Sequence, residues 1–228
     1  MDFRELLAAL AGQRPVFHSE ADFQHALAWL IHEVRPTATV RLEIPRDIDG
    51  RRAHVDVWVV DDERLAIELK YLTTALDTVV AGEQFQLRNQ AAQDLGRYDI
   101  LKDLTRVERL VAAGSADRGI VLALTSDSTY WRGPGLGTSP NYAAFRLMEG
   151  RKLSGTLAWA PGTGAGTMRG REASIELRGA YVCRWSDYSV VRADSSAAEL
   201  RYLLLETRSL AVPAREPDPA ISDVEDGS

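Results

Sequence analysis

Residues 51–71 read RRAHVDVWVVDDERLAIELKY. Val55, Val57 and Val59 alternate with His54, Asp56 and Trp58; after Asp61-Asp62-Glu63, Leu65, Ile67 and Leu69 alternate with Ala66, Glu68 and Lys70. Period-two alternation on both sides of a short polar break predicts two antiparallel strands joined by a hairpin. A three-residue loop at Asp61-Asp62-Glu63 pairs Val60 with Arg64, and the same register sets Asp56 opposite Glu68 and His54 opposite Lys70. Facing side chains in such a pair stand about 4.5–5.5 Å apart at Cβ, where like charges repel. A divalent cation between the two carboxylates offsets that repulsion. Lys70 falls on the same face as Glu68, roughly 6–7 Å further along the strand. A solvated sheet edge would also carry such charges. The apolar flanks VWVV and LAIEL point instead to interior strands, where acidic residues are rare and a charge persists only if paired or metal-bound.

Asp56, eleven intervening residues and Glu68-Leu69-Lys70 resemble the signature of the PD-(D/E)xK nuclease superfamily, over about residues 19–125. The resemblance implies an α/β restriction-endonuclease-like fold, a mixed central β-sheet flanked by helices. It implies that Asp56 and Glu68 bind Mg²⁺, with Mn²⁺ substituting and the Leu69 carbonyl adding an oxygen, and that Lys70 stands beside the attacking water. Val55 occupies the position where that family often has Pro. A further metal-linked Glu is expected on the first helix, where Glu20 matches best and Glu33 is the fallback; a favourable charge at a helix N-terminus explains Glu20 equally well. The implied activity is phosphodiester hydrolysis in nucleic acid, DNA ahead of RNA. Two alternatives stay open: a nuclease fold serving only as a binding or scaffolding module, and a nuclease switched on by a ligand or a partner bound by residues 127–210. Whether the chain acts as a homodimer is also open.

Composition narrows the rest. Hydrophobic residues at 45% and charged residues at 26% suit a soluble globular chain. The single cysteine, Cys183, excludes an internal disulfide and a cysteine-based zinc site and suits a reducing cytoplasm. MDFRELLAALAGQR is too short and too charged for a secretory signal, and no apolar run reaches membrane-spanning length. Net charge is −6, but residues 211–228 hold five acidic groups against one Arg. The body is therefore near neutral, which leaves room for a local basic groove. The expected organisation is a nuclease-like core over 1–126, a β-rich elaboration over 127–210, within the same domain or as a small second one, and a disordered acidic tail over 211–228.

Around the hairpin, Ser19 reads as the N-cap of a helix whose apolar stripe is Phe23, Ala26, Leu27, Leu30, Ile31 and Val34. Residues 39–44 read as a strand closed by Pro45 and a turn at Asp49-Gly50. Residues 82–113 read as helix, with Gly96 a candidate kink. Gln93 and Arg97, one turn apart on that helix, are candidate nucleic-acid contacts. Lys102, Arg106 and Arg109 share a face that local pairs with Asp99 and Asp103 explain. Residues 119–125 (GIVLALT) predict a buried central strand. Tyr130, Trp131 and Arg132 lie on a loop that either stacks on bases or packs down as a lid. Residues 153–159 and 175–185 read as strands, joined by PGTGAGTMRGR, which lacks the Lys-Ser/Thr ending of a phosphate-binding loop. Residues 201–206 fit a strand or a short helix. His25 and His32 are seven apart, not at the spacing of a helical zinc site.

Overall fold

A computed structural model describes residues 1–133, 140–193 and 196–209; the expected tail lies outside the described residues. The elements run α1 (Phe3–Gln13), α2 (Glu20–Val34), β1 (Thr39–Ile48), β2 (Arg51–Val60), β3 (Arg64–Leu72), β4 (Leu76–Val80), β5 (Glu83–Leu87), α3 (Gln93–Ala112) and β6 (Arg118–Thr125). A single 3₁₀ turn at Ala143–Phe145 precedes β7 (Lys152–Leu157), α4 (Ala165–Met168), β8 (Ile175–Val182), β9 (Trp185–Ala193) and β10 (Ser196–Arg208).

The fold is α/β, with a central six-stranded sheet in the order β1-β2-β3-β6-β10-β9. Only the β3–β6 pair is parallel, so the sheet is mixed. Alternation along β6 divides the core. Ile120, Leu122 and Leu124 pack with α1 and α2 on one face. Val121 and Ala123 pack with α3 and the β7–β8 ribbon on the other. Covered on both faces, β6 is buried along its whole length, as its unbroken apolar run predicts.

The α2 helix starts where the Ser19 hydroxyl accepts from Asp22 N–H, and its predicted apolar stripe is buried except for exposed Val34. Ahead of it, α1 is capped by Asp2 and buries Phe3, Leu6, Leu7 and Leu10, an element beyond the sequence expectation.

Three expectations need correction, and one open alternative is decided. The first strand does not close at Pro45 but continues to Ile48. Pro is tolerated there because β1 is the sheet edge, where an N–H is dispensable. Residues 82–92 are not helical: 76–87 form the β4–β5 hairpin, with Leu76 and Thr78 facing Leu87 and Phe85. Ala81 (φ 51°) and Gly82 (φ 85°) are both left-handed, as a two-residue hairpin turn of matching twist requires. Gly96 lies within an unbroken α3; a side chain there would collide with the Tyr130 hydroxyl, so close approach rather than a kink explains the glycine. Residues 201–206 belong to β10, and with β9 this late segment completes the central sheet beside β6. Among the described residues no helix is long and apolar enough to cross a membrane.

Candidate active site

The β2–β3 hairpin forms in the predicted register, with Val60 opposite Arg64 and the ladder running to Val57 opposite Ile67. It stops there, so Asp56 and Glu68 are not ladder partners. The Asp56 carboxylate turns into the opening and accepts from Leu69 N–H at 2.6 Å. The β1 ladder is broken at the same level: Leu42 pairs with Val57 and Ile44 with Val55, while Glu43 between them takes φ 51°. Gln24 of α2, 8% exposed, donates to the Asp56 carbonyl at 2.7 Å and to the Glu43 carboxylate at 2.8 Å. It thereby satisfies a carbonyl that has lost its ladder partner. The same break keeps His54 from pairing with Lys70. His54 is exposed and opposite Pro45.

Glu68 is 1% exposed. One of its carboxylate oxygens meets the Arg106 guanidinium at 3.2 Å, and the other, Oε1, has no hydrogen-bond partner. Burial pushes Glu68 far above the carboxylate range, and Asp103 and Asp56 push the same way against Arg106 and Lys70. Lys70 Nζ lies 2.8 Å from Asp103, 4.0 Å from Glu20 and 2.9 Å from the Leu69 carbonyl. Burial works against its ammonium, but Asp103, Glu20 and Asp56 together hold it above its ordinary value. Glu20, in the first turn of α2, accepts from Tyr71 N–H at 2.8 Å. Burial raises Glu20 and Asp56 as well, against the attraction of Lys70 and the backbone N–H each accepts.

Asp56, Glu68, Lys70 and Glu20 are thus brought together; Glu33 instead accepts from Trp29 on the exposed side of α2. Two further members come from α3. Asp103 and Arg106 pair with each other at 2.9 Å, as a local helix pair should, but both also reach across to β3. Arg106 additionally donates to the His54 carbonyl at 2.6 Å. The stripe is therefore not only a set of local pairs, and the sequence carries a signal of this. Asp103 sits between Ile100, Leu104 and Val107 on the buried stripe of α3, where an acid needs a partner from elsewhere. Asp99 pairs with Arg171 at 2.6 Å rather than with Lys102.

Gln93 and Arg97 lie apart from this group, roughly 15 Å and 9 Å along the helix axis from Asp103. Gln93 donates to Asp127 at 3.2 Å. Arg97 is 4% exposed, donates to the Thr129 carbonyl at 2.7 Å and lies over the Tyr130 ring at 4.6 Å. Tyr130 and Trp131 are themselves buried, so the loop packs its rings onto the domain as a lid would.

Among the described residues no three acidic, His or Cys side chains converge closely enough to hold a hard divalent cation as they stand. The chemistry nevertheless fits. Four carboxyl groups (Glu20, Asp56, Glu68, Asp103) face two cations (Lys70, Arg106), an excess of two negative charges when all are ionised and of one while Glu68 keeps its proton. The ligand atoms are all oxygens, the preference of Mg²⁺, and Glu68 Oε1 is orphaned inside the group. Comparison with protein-family models, with curated proteins and with solved structures gave no match.

Proposed function

We propose that this chain is a Mg²⁺-dependent nuclease of the PD-(D/E)xK type with a restriction-endonuclease-like core, hydrolysing phosphodiester bonds, in DNA ahead of RNA. The observation that carries the reading is the buried, half-orphaned Glu68 gathered with Asp56, Glu20 and Lys70 in a group with more acids than cations. Asp56, Glu68 and the Leu69 carbonyl would hold the ion, with Mn²⁺ able to replace Mg²⁺. When bound, it supplies an acidified water and neutralises charge on the phosphate.

The protein's own residues do the rest. Lys70, kept protonated by Asp103 and Glu20, acts as a fixed positive charge rather than a base. It orients the attacking water and stabilises the negative charge that grows on the phosphate oxygens in the transition state. Asp56 is aimed by the Leu69 N–H, and its own backbone is held by Gln24. Arg106 keeps Glu68 in place from the α3 side.

The test is nicking of supercoiled plasmid, with a labelled RNA in parallel, in Mg²⁺ and in EDTA. Lys70→Ala and Asp56→Ala should each lose about 10²–10³ in rate, the usual cost of one preorganised electrostatic group, with unchanged circular dichroism. Full activity in Lys70→Ala sinks the reading. A wild-type chain that cuts neither nucleic acid and binds no Mg²⁺ or Mn²⁺ by calorimetry would favour the binding-module alternative.

A further inference from the structure

A groove of about 560 Å³ is lined by residues from the start of β2 and from α3, and its lining includes Lys70, Asp103 and Arg106. Arg51 and Arg52, just past the Asp49-Gly50 turn, line it together with Lys102 and Arg109, which are seven residues apart on one side of α3. Among the described residues Arg51, Arg52 and Lys102 have no ion-pair partner. Arg109 meets only Asp49, at 3.2 Å, and both side chains are well exposed. Such a solvent-screened surface pair holds weakly and yields to a stronger anion. The two acids on the groove are already neutralised, Asp99 by Arg171 and Asp103 by Lys70 and Arg106. A chain of net charge −6 thus presents a positive channel here.

We propose that this groove seats the phosphate backbone of one nucleic-acid strand, with Arg51, Arg52, Lys102 and Arg109 as its phosphate contacts. The proposal rests on the nuclease reading of the adjoining group and adds to it how substrate arrives. Among the described residues no aromatic ring lines the groove, so it offers charge to phosphates and no stacking platform to bases. Recognition is therefore independent of sequence. The volume is that of a small-molecule pocket, enough for a few nucleotides of one strand and far too small for a duplex. A strand lying in it brings a phosphate up to Lys70.

The experiment is fluorescence anisotropy of the full chain with a labelled single-stranded oligonucleotide in EDTA, where no cleavage occurs, over a range of KCl concentrations. For a single strand each phosphate contact contributes about 0.7 to the slope of log affinity against log salt. The triple variant R51A/R52A/K102A should lower that slope by about 2 and weaken binding at every sequence tried. The charge-preserving R51K/R52K/K102R should keep it. Single-stranded RNA should give the same slope as DNA, because the contacts are phosphates. Wild-type affinity and slope in the triple variant overturn the proposal, as does an absence of salt-dependent binding in the wild type. Duplex binding tighter than single-strand binding overturns the single-strand part. Failure here with plasmid nicking intact leaves the nuclease reading standing. Normal cleavage by Lys70→Ala overturns that reading while affinity still decides the groove.

Discussion

At the scale of single residues, Glu68 is the point of greatest tension. It is 1% exposed, has one oxygen paired to Arg106 and one unpaired, and faces the charges of Asp56 and Asp103. Removing one member of a buried ion pair costs about 3–5 kcal/mol because the other charge is stranded, whereas replacing both by apolar residues is often neutral. Arg106→Met should therefore destabilise the fold markedly, and the Glu68→Met/Arg106→Met double variant should recover much of the loss. Urea denaturation of the four members of the cycle reads the coupling. A double variant weaker than Arg106→Met alone would mean that the pair is not the main constraint on Glu68. Asp56 and Glu68 could be picked from the sequence because strand alternation is local and two residues suffice to define a face. The ladder break that separates them could not, since it depends on Gln24 from a distant helix and on Glu43 in a left-handed conformation.

At the scale of elements, α3 joins the two halves of the molecule. Toward β3 it presents Asp103 and Arg106; toward β8 it presents Glu108, 3% exposed. Glu108 accepts from Arg178 N–H, Gly179 N–H and the Tyr181 hydroxyl, the last two at 2.7 and 2.6 Å. An Ala there would strand three donors, each costing about 1–3 kcal/mol. Glu108→Ala should thus lose about 3 kcal/mol or more, read as a lower urea midpoint. The β7–β8 ribbon should loosen first, visible as faster amide exchange over 175–182 than over β6; uniform exchange would show that the ribbon does not depend on this clasp. Gly119 marks a close approach of β6 to the same helix, since a Cβ there would stand 2.7 Å from Val107 Cβ. The long elements α2, β2, β3 and β6 were readable because each carries its period over many residues. The short β4–β5 hairpin was not, because its five-residue strands end in an Ala-Gly turn, a weaker signal than Asn-Gly. β10 was ambiguous because RYLLLE fits either period, and only pairing with β6 decides it.

At the scale of the whole molecule, the buried acids set how stability depends on pH. Glu20, Asp56 and Glu68 are all raised, burial being the largest cause in each, and Glu68 is pushed up to about 10. A raised carboxyl holds its proton more tightly in the folded state than in the unfolded one. Its contribution is fully present below the unfolded value of about 4 and is lost as pH rises through the folded value. Asp117, drawn down to about 2 by Arg64, and Glu206, drawn down by Arg118 and Arg208, act in the opposite sense. Their stabilisation is present above their unfolded values and is lost only as pH falls below about 4. Between about pH 5 and pH 9 the raised acids therefore dominate. In EDTA the melting temperature should fall steadily across that range, with at most about 1.4 kcal/mol lost per pH unit for each proton. Glu68→Gln should flatten the profile, since it removes the group whose window spans neutral pH. Mg²⁺ should reverse the trend if the group holds it. Binding to the ionised carboxylates releases protons and stabilises the folded state by mass action, so the Mg²⁺-induced rise in melting temperature should be larger at pH 8 than at pH 6. A flat wild-type profile in EDTA would mean that Arg106 and Lys70 alone keep Glu68 ionised. The group would then carry the full excess of two negative charges at neutral pH, and the Mg²⁺-induced rise would not grow with pH through Glu68.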